Sequence, residues 1–176
     1  GLAVPSVFNP QAMSAGLTSS QRLGLQHMRP EHPWVLMALA DQPLLGAQDV
    51  RALMDAFGQR PGGIEALYPE VQGQPGNPVA LSAAVRAAVL QANDDFGCQT
   101  WRQHHRALVH GWASNNPHYI TDLDSQADIA ALQQIGIYLR WPDVSAPCNA
   151  PTSSDIPIVT DVITSTVHAL LAVPLA

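Results

Sequence analysis

Strands alternating with helices predict an α/β sandwich of three layers, with a mostly parallel sheet at its centre. Three observations carry that expectation. Residues 34–40 (Trp-Val-Leu-Met-Ala-Leu-Ala) form an apolar run bounded by Pro33 and Pro43, the signature of a strand buried on both faces. Residues 47–57 then change period, with Val50, Leu53, Met54 and Phe57 at helical spacing and Gly58 as a stop signal. The same exchange recurs downstream, where short apolar strands at 64–68, 79–81 and 108–112 are interleaved with helical segments.

The elements follow in order. Residues 3–8 read as a short strand, interrupted by Pro5 and closed by Asn9-Pro10. Gly16-Leu17-Thr18-Ser19-Ser20 leads into a helix over 21–28, with Ser or Thr suited to cap its first turn. After the 34–40 strand and the 47–57 helix, residues 71–78 form a loop rich in Gly and Pro. Ser82 caps an Ala-rich helix to about 91, and Asp94-Asp95-Phe96-Gly97 turns into a helix near 98–105. Residues 119–124 are extended, and 125–135 form a helix opened by a capping box, Ser125 with Asp128. The pattern changes after Trp141-Pro142. Residues 143–155 read as a Ser/Pro/Ala-rich linker, and 156–175 as an apolar, β-branched tail suited to an extra strand or an oligomer contact. The expected division is a domain over 1–142 and a linker with tail over 143–176.

Bulk properties narrow the function. The 176 residues are enough for one domain with a core, and 47% apolar against 12% charged favours a compact fold over disorder. The net charge of −6 argues against nucleic acid as a partner. All eight cationic side chains are arginine; lysine is absent. Cys98 and Cys148 have no zinc-binding spacing, so a reduced, cytoplasmic protein is the simpler expectation. No apolar run is long enough to span a bilayer, so no membrane partner is expected.

Chemistry is expected first at Asp41. It is the first charged residue after a buried strand, at the carboxyl edge where open α/β sheets place ligands. A carboxylate there, with Pro43 shaping the turn, suits a hard cation and a phosphate. Three further segments join it: Gly73-Gln-Pro-Gly76-Asn77-Pro78, Asp95-Phe96-Gly97, and Asp122-Leu123-Asp124-Ser125-Gln126-Ala127-Asp128.

In order and spacing, LADQP at 39–43, GNP at 76–78, DDFG at 94–97 and DLDSQAD at 122–128 resemble the MobA-like nucleotidyltransferases of the molybdenum cofactor cytidylyltransferase or guanylyltransferase type. Asn9-Pro10 and residues 16–20 also resemble the family's NP…G(L/M)xxS segment, and the resemblance covers roughly residues 4–140. It implies a Rossmann-like fold of the nucleotide-diphospho-sugar transferase kind. It also implies transfer of CMP or GMP from CTP or GTP to a molybdopterin-like acceptor, with release of pyrophosphate. Mg²⁺ is the implied cofactor, held by Asp41 with Asp124 or Asp122. Gly76, Asn77, Pro78, Asp95 and Gly97 are the implied ligand-binding residues. A molybdoenzyme or a second copy of the chain is an implied partner. One departure accompanies the resemblance. The family's opening strand and Gly-rich loop, of the form LAAGxSxRMGxxK, are not found, so the resemblance implies a domain incomplete at its N-terminus.

Each residue also has a plainer reading. Asp122 and Asp124 alternate along an extended stretch, so one of the two faces the site, and Asp124 is the first choice. Asp124 also suits the N-cap of the following helix. Gly76 and Asn77 are turn formers, and Asp95 with Gly97 suits a helix entry. His104, His105 and His110 lack the partners of a zinc set and read as surface residues. A non-catalytic binding domain of the same fold and a sugar-nucleotide-binding, glycosyltransferase-like protein are the alternative functions.

Overall fold

Successive side chains of each strand face opposite ways, and this period of two splits the core into two layers. Val35 and Met37 of β1 (Trp34–Met37), Ala66 of β2 (Ala66–Val71), and Val79 and Leu81 of β4 (Val79–Ser82) face one way. They pack against Leu25 of α1 (Ala12–His27), Val85 and Val89 of α3 (Ala83–Gln91), and Cys98 and Trp101 of α4 (Cys98–His104). Leu36, Leu67 and Ala80 face the other way, against Leu53 and Phe57 of α2 (Ala47–Gly58). Helices therefore cover both faces of the sheet. That is why the strands read as continuous apolar runs.

The computed structural model describes residues 7–136. The expected strand at 3–8 falls largely outside them, as do the linker and tail at 143–176. Two compact units divide between Asp122 and Leu123. The first carries the sheet. Of the second, the described part holds α5 (Gln126–Gln134), whose N-terminus is closed by the expected capping box between Ser125 and Asp128.

The sheet is mixed rather than mostly parallel. Its order is β1-β4-β2, with β5 (Val109–Ser114) on the far side of β2 and a short β3 (Gln74–Pro75) pairing the end of β2. Only β2 and β5 pair in parallel; β1–β4, β4–β2 and β2–β3 are antiparallel. The cause is the 71–78 segment. Gln72 and Gly73 both take positive φ (53° and 82°), which makes a tight hairpin and sends the chain straight back as β3 and β4. Glycine meets that demand at no steric cost, and Gln72 is carried with it. The antiparallel β4 then separates β1 from β2.

Several boundaries differ from the sequence reading. β1 ends at Met37, with only an isolated bridge at Ala38, so Asp41 lies in a turn beyond the strand. α1 begins at Ala12 and breaks at Gly16 (φ 64°), rather than beginning at 21. Residues 117–120 form a 3₁₀ turn where an extended stretch was expected.

Among the described residues two arginines are buried, and each closes the C-terminal end of the other's helix. Arg86 of α3 donates from Nε to Leu25 O (3.0 Å), from Nη1 to Arg29 O (2.8 Å), and from Nη2 to Met28 O, at the end of α1. Arg22 of α1 donates to Val89 O and Ala92 O at the end of α3, and to Phe96 O just beyond. A helix end leaves carbonyls without partners, and a guanidinium supplies several planar donors at once. Its charge also suits the negative end of the helix dipole. Lysine has no such fork, which gives a physical reason for arginine at these two positions.

Candidate functional site

The carbonyl oxygen of Tyr119 is the point on which the candidate site converges. Tyr119 is among the largest fully buried residues. Its carbonyl accepts from Gln42 Nε2 at 3.1 Å and from the Asn77 backbone N–H at 2.9 Å. The turn after β1 and the GNP loop therefore share one acceptor. The same Gln42 amide nitrogen donates to Asp122 Oδ1 at 2.9 Å. Residues from 42, 77 and 122, far apart in sequence, are thus tied together within the first compact unit.

Gly76 is a glycine because of this closeness. A Cβ on it would lie 3.0 Å from the Tyr119 carbonyl carbon, closer still to the oxygen, and 3.1 Å from Ile120 Cγ2. Its own N–H donates to Pro69 O at 2.8 Å, so the loop is pinned from both sides. Gly76→Ala is expected to break the Asn77–Tyr119 bond and to lower stability by about 1–3 kcal/mol, the usual cost of overpacking. Gly58→Ala is the control, because nothing lies within 4 Å of the added carbon. It is expected to stay within about 1 kcal/mol of wild type. Urea denaturation of both variants checks this; equal midpoints would show that the loop yields freely.

A second network fixes the Tyr119 turn to the start of α2. The Tyr119 hydroxyl donates to Asp49 O at 2.7 Å, and its ring meets Trp112 edge-on at 5.9 Å. The Asp49 carboxylate accepts from Gly46 N–H (2.8 Å) and Asn116 Nδ2 (2.6 Å), and pairs with His118 Nδ1 at 3.0 Å. Burial of Asp49 opposes its ionisation, but the donors from Gly46, His118 and Asn116 outweigh it, and its pKa falls below the ordinary value. Burial, with the Asp49 charge added, pushes the Tyr119 phenol up to about 12, so it remains a donor at neutral pH. Sequence reasoning did not single out Asp49, Asn116, His118 or Tyr119. Only Asn116-Pro117, a turn opener whose side chain accepts from His118 N–H, carries a readable signal.

The other expected residues have different surroundings. Asp41 is half-buried in the turn after β1. Asp124 belongs to the second unit. It is exposed, and its N–H donates to Asp128 Oδ2 at 3.1 Å, while Ser125 and not Asp124 is the N-cap of α5. Asp95 is exposed on the turn between α3 and α4. Gly97 is packed against Thr18, whose Oγ1 and Cγ2 would both lie 3.0 Å from an added Cβ. That turn is held by Arg22 through Phe96 O and serves helix packing. Asn9 Nδ2 donates to Ser19 Oγ and Ser20 Oγ, both at 2.9 Å, so the two parts of the upstream motif do meet.

Among the described residues no three His, Cys, Asp or Glu side chains cluster as a metal site. Mg²⁺, which takes one or two carboxylates and fills its remaining positions with phosphate oxygens and water, does not need such a cluster. Gln42 is 5% exposed, and its Oε1 is buried with no hydrogen-bond partner among the described residues.

The family model of the MobA-like NTP transferase domain matches residues 1–109. The chain belongs to that family. Its α/β architecture, with a five-strand mixed sheet flanked by helices, is consistent with the MobA-like fold, and membership implies that it handles a nucleoside triphosphate. The match covers Asp41, Gln42 and the GNP loop but ends before Tyr119 and Asp122. The chain matches no curated protein. No helix among the described residues is long and apolar enough to cross a membrane.

Proposed function

We propose that this MobA-like domain transfers a nucleoside monophosphate, CMP or GMP, from its triphosphate to the phosphate of a molybdopterin-type acceptor. An acceptor phosphate oxygen attacks the α-phosphorus. The bond from that phosphorus to the α–β bridging oxygen breaks, pyrophosphate leaves, and a new phosphoanhydride links nucleotide and acceptor. The observation that carries the reading is the link from Gln42 to Asp122, which joins the LADQP turn to the distant acidic segment. Family membership supplies the reaction class.

Asp41 and Asp122 are the proposed oxygen donors for Mg²⁺, with Asp122 preferred to Asp124 because of that link. When bound, the cation supplies positive charge to the triphosphate and its leaving pyrophosphate. Gln42 orients Asp122. The Gly76–Asn77 backbone, held by Tyr119, forms a wall along which the acceptor lies. Pro78 holds the next position of that wall. The buried guanidiniums of Arg22 and Arg86 are committed to helix ends and take no part in neutralising phosphate charge.

The test supplies the full-length protein with Mg²⁺, molybdopterin and either CTP or GTP, and follows pyrophosphate and nucleotide-capped pterin together. Release that requires acceptor, and one nucleotide far above the other, is expected. Nucleotide binding without any release would assign the fold to a non-catalytic binding role.

A further inference from the structure

The Gln42 side chain occupies an unusual position, with every bond it makes running between two parts of the proposed site. Both donor interactions of its amide go to acceptors, a carbonyl and a carboxylate. That fixes which end is nitrogen, because a flipped amide would set its oxygen against both. Oε1 is consequently left buried and without a partner among the described residues, a state that ordinarily costs stability. The carbonyl it holds is the one that also holds Asn77 N–H.

We propose that Gln42 is a positioning residue that couples the cation site to the acceptor loop, so that a divalent cation at Asp41 and Asp122 stiffens Gly76–Asn77. The coupling rests on the function proposed above. A hydrated cation held at Asp41 would bring O–H donors toward Oε1, and it would thereby interact differently with the amide whose oxygen is paired and the amide whose oxygen is not. Oε1 has no solvent access, so a donor meets it only when the turn at 40–43 gives way slightly. The Nε2 end moves with it, and Tyr119 O passes that motion to Asn77. The carbonyl itself is well anchored, by the Tyr119 hydroxyl on Asp49 O and by the Asp49 pairing with His118 and Asn116. The turn that carries it is therefore stiff, and a shift of the Gln42 amide is passed to Asn77 rather than absorbed. By linkage, a ligand that orders the loop tightens cation binding in return.

The experiment is amide hydrogen exchange by NMR on the full chain, with and without Mg²⁺ alone. In the wild type, Mg²⁺ is expected to shift the amide signals of Asp41 and Asp122 and to slow exchange at Asn77 several-fold. Gln42→Met removes the amide, and Gln42→Glu keeps its size while replacing the donor. In both, the shifts at Asp41 are expected to remain and the slowing at Asn77 to vanish; whichever variant folds suffices. Wild-type shifts at Asp41 and Asp122 without any change at Asn77 overturn the coupling and leave the cation site standing. Slowing at Asn77 that persists in the variants also overturns it. Absence of any Mg²⁺-dependent shift overturns the cation site and the coupling together.

Discussion

Asp41→Asn in the full-length protein is expected to reduce Mg²⁺-dependent pyrophosphate release by at least roughly 10²–10³-fold, the scale set by removing one preorganised electrostatic group from an active site. The substitution keeps the shape of the side chain and removes only its charge, so the turn that leads into α2 is retained. A carboxylate is needed because phosphoryl transfer asks the protein for positioning and charge neutralisation more than for covalent help. Binding of the triphosphate is expected to weaken much less than turnover, since the loss falls on the transition state. Raising Mg²⁺ is expected to restore part of the rate if the carboxylate acts as a ligand. The same assay separates the two later acids: Asp122→Asn is expected to lose activity with Asp41→Asn, and Asp124→Asn to stay near wild type. Unchanged release in Asp41→Asn would sink the metal assignment. Loss in Asp124→Asn alone would return the second carboxylate to the position that the sequence first favoured.

Much of the fold was legible because burial on two faces leaves a two-sided apolar strand, and β1 with Leu36 on one face and Val35 and Met37 on the other is such a strand. Direction was not legible. A strand has the same period whether its neighbour runs parallel or antiparallel, so β4 looked like one more member of a parallel sheet. The deciding residues were Gln72 and Gly73, and a Gln with positive φ is not a residue that advertises a hairpin. At the site, Asp41, Gly76, Asn77 and Asp122 were visible as acids, a glycine and a turn former, whereas Gln42 stood only as one letter of LADQP. What gathers Gln42, Gly76, Asn77 and Asp122 was not visible, because Tyr119 acts through a backbone carbonyl that every residue possesses. The Asp49–His118 pair was hidden for a related reason. Asp49 reads as an ordinary acid in the first turn of a helix, and only the tertiary fold brings His118 and Asn116 to it.

Arg86 is expected to be the most costly side chain to replace outside the site. Arg86→Met removes three hydrogen bonds from a charged donor, and each such bond contributes about 1.5–3 kcal/mol when taken singly. The full sum is not realised, because removing the guanidinium also relieves its own desolvation. A net loss of roughly 3 kcal/mol is expected, a large share of the 5–15 kcal/mol typical of a folded domain. Arg86→Lys tests which term dominates. It keeps the buried charge but offers one ammonium where three carbonyls at Leu25, Met28 and Arg29 await donors in a plane. If hydrogen-bond geometry dominates, lysine rescues little and both variants unfold at clearly lower denaturant with an unchanged slope. If charge at the end of α1 dominates, lysine restores most of the stability, and the planar clasp loses its significance. Asp94→Asn is the contrasting case. Its partner Arg22 is buried, but the Asp94 carboxylate is fully exposed, and such a pair contributes little. Denaturation midpoints for the three variants therefore separate the shape of the donor from its charge, and both from the surface ion pair.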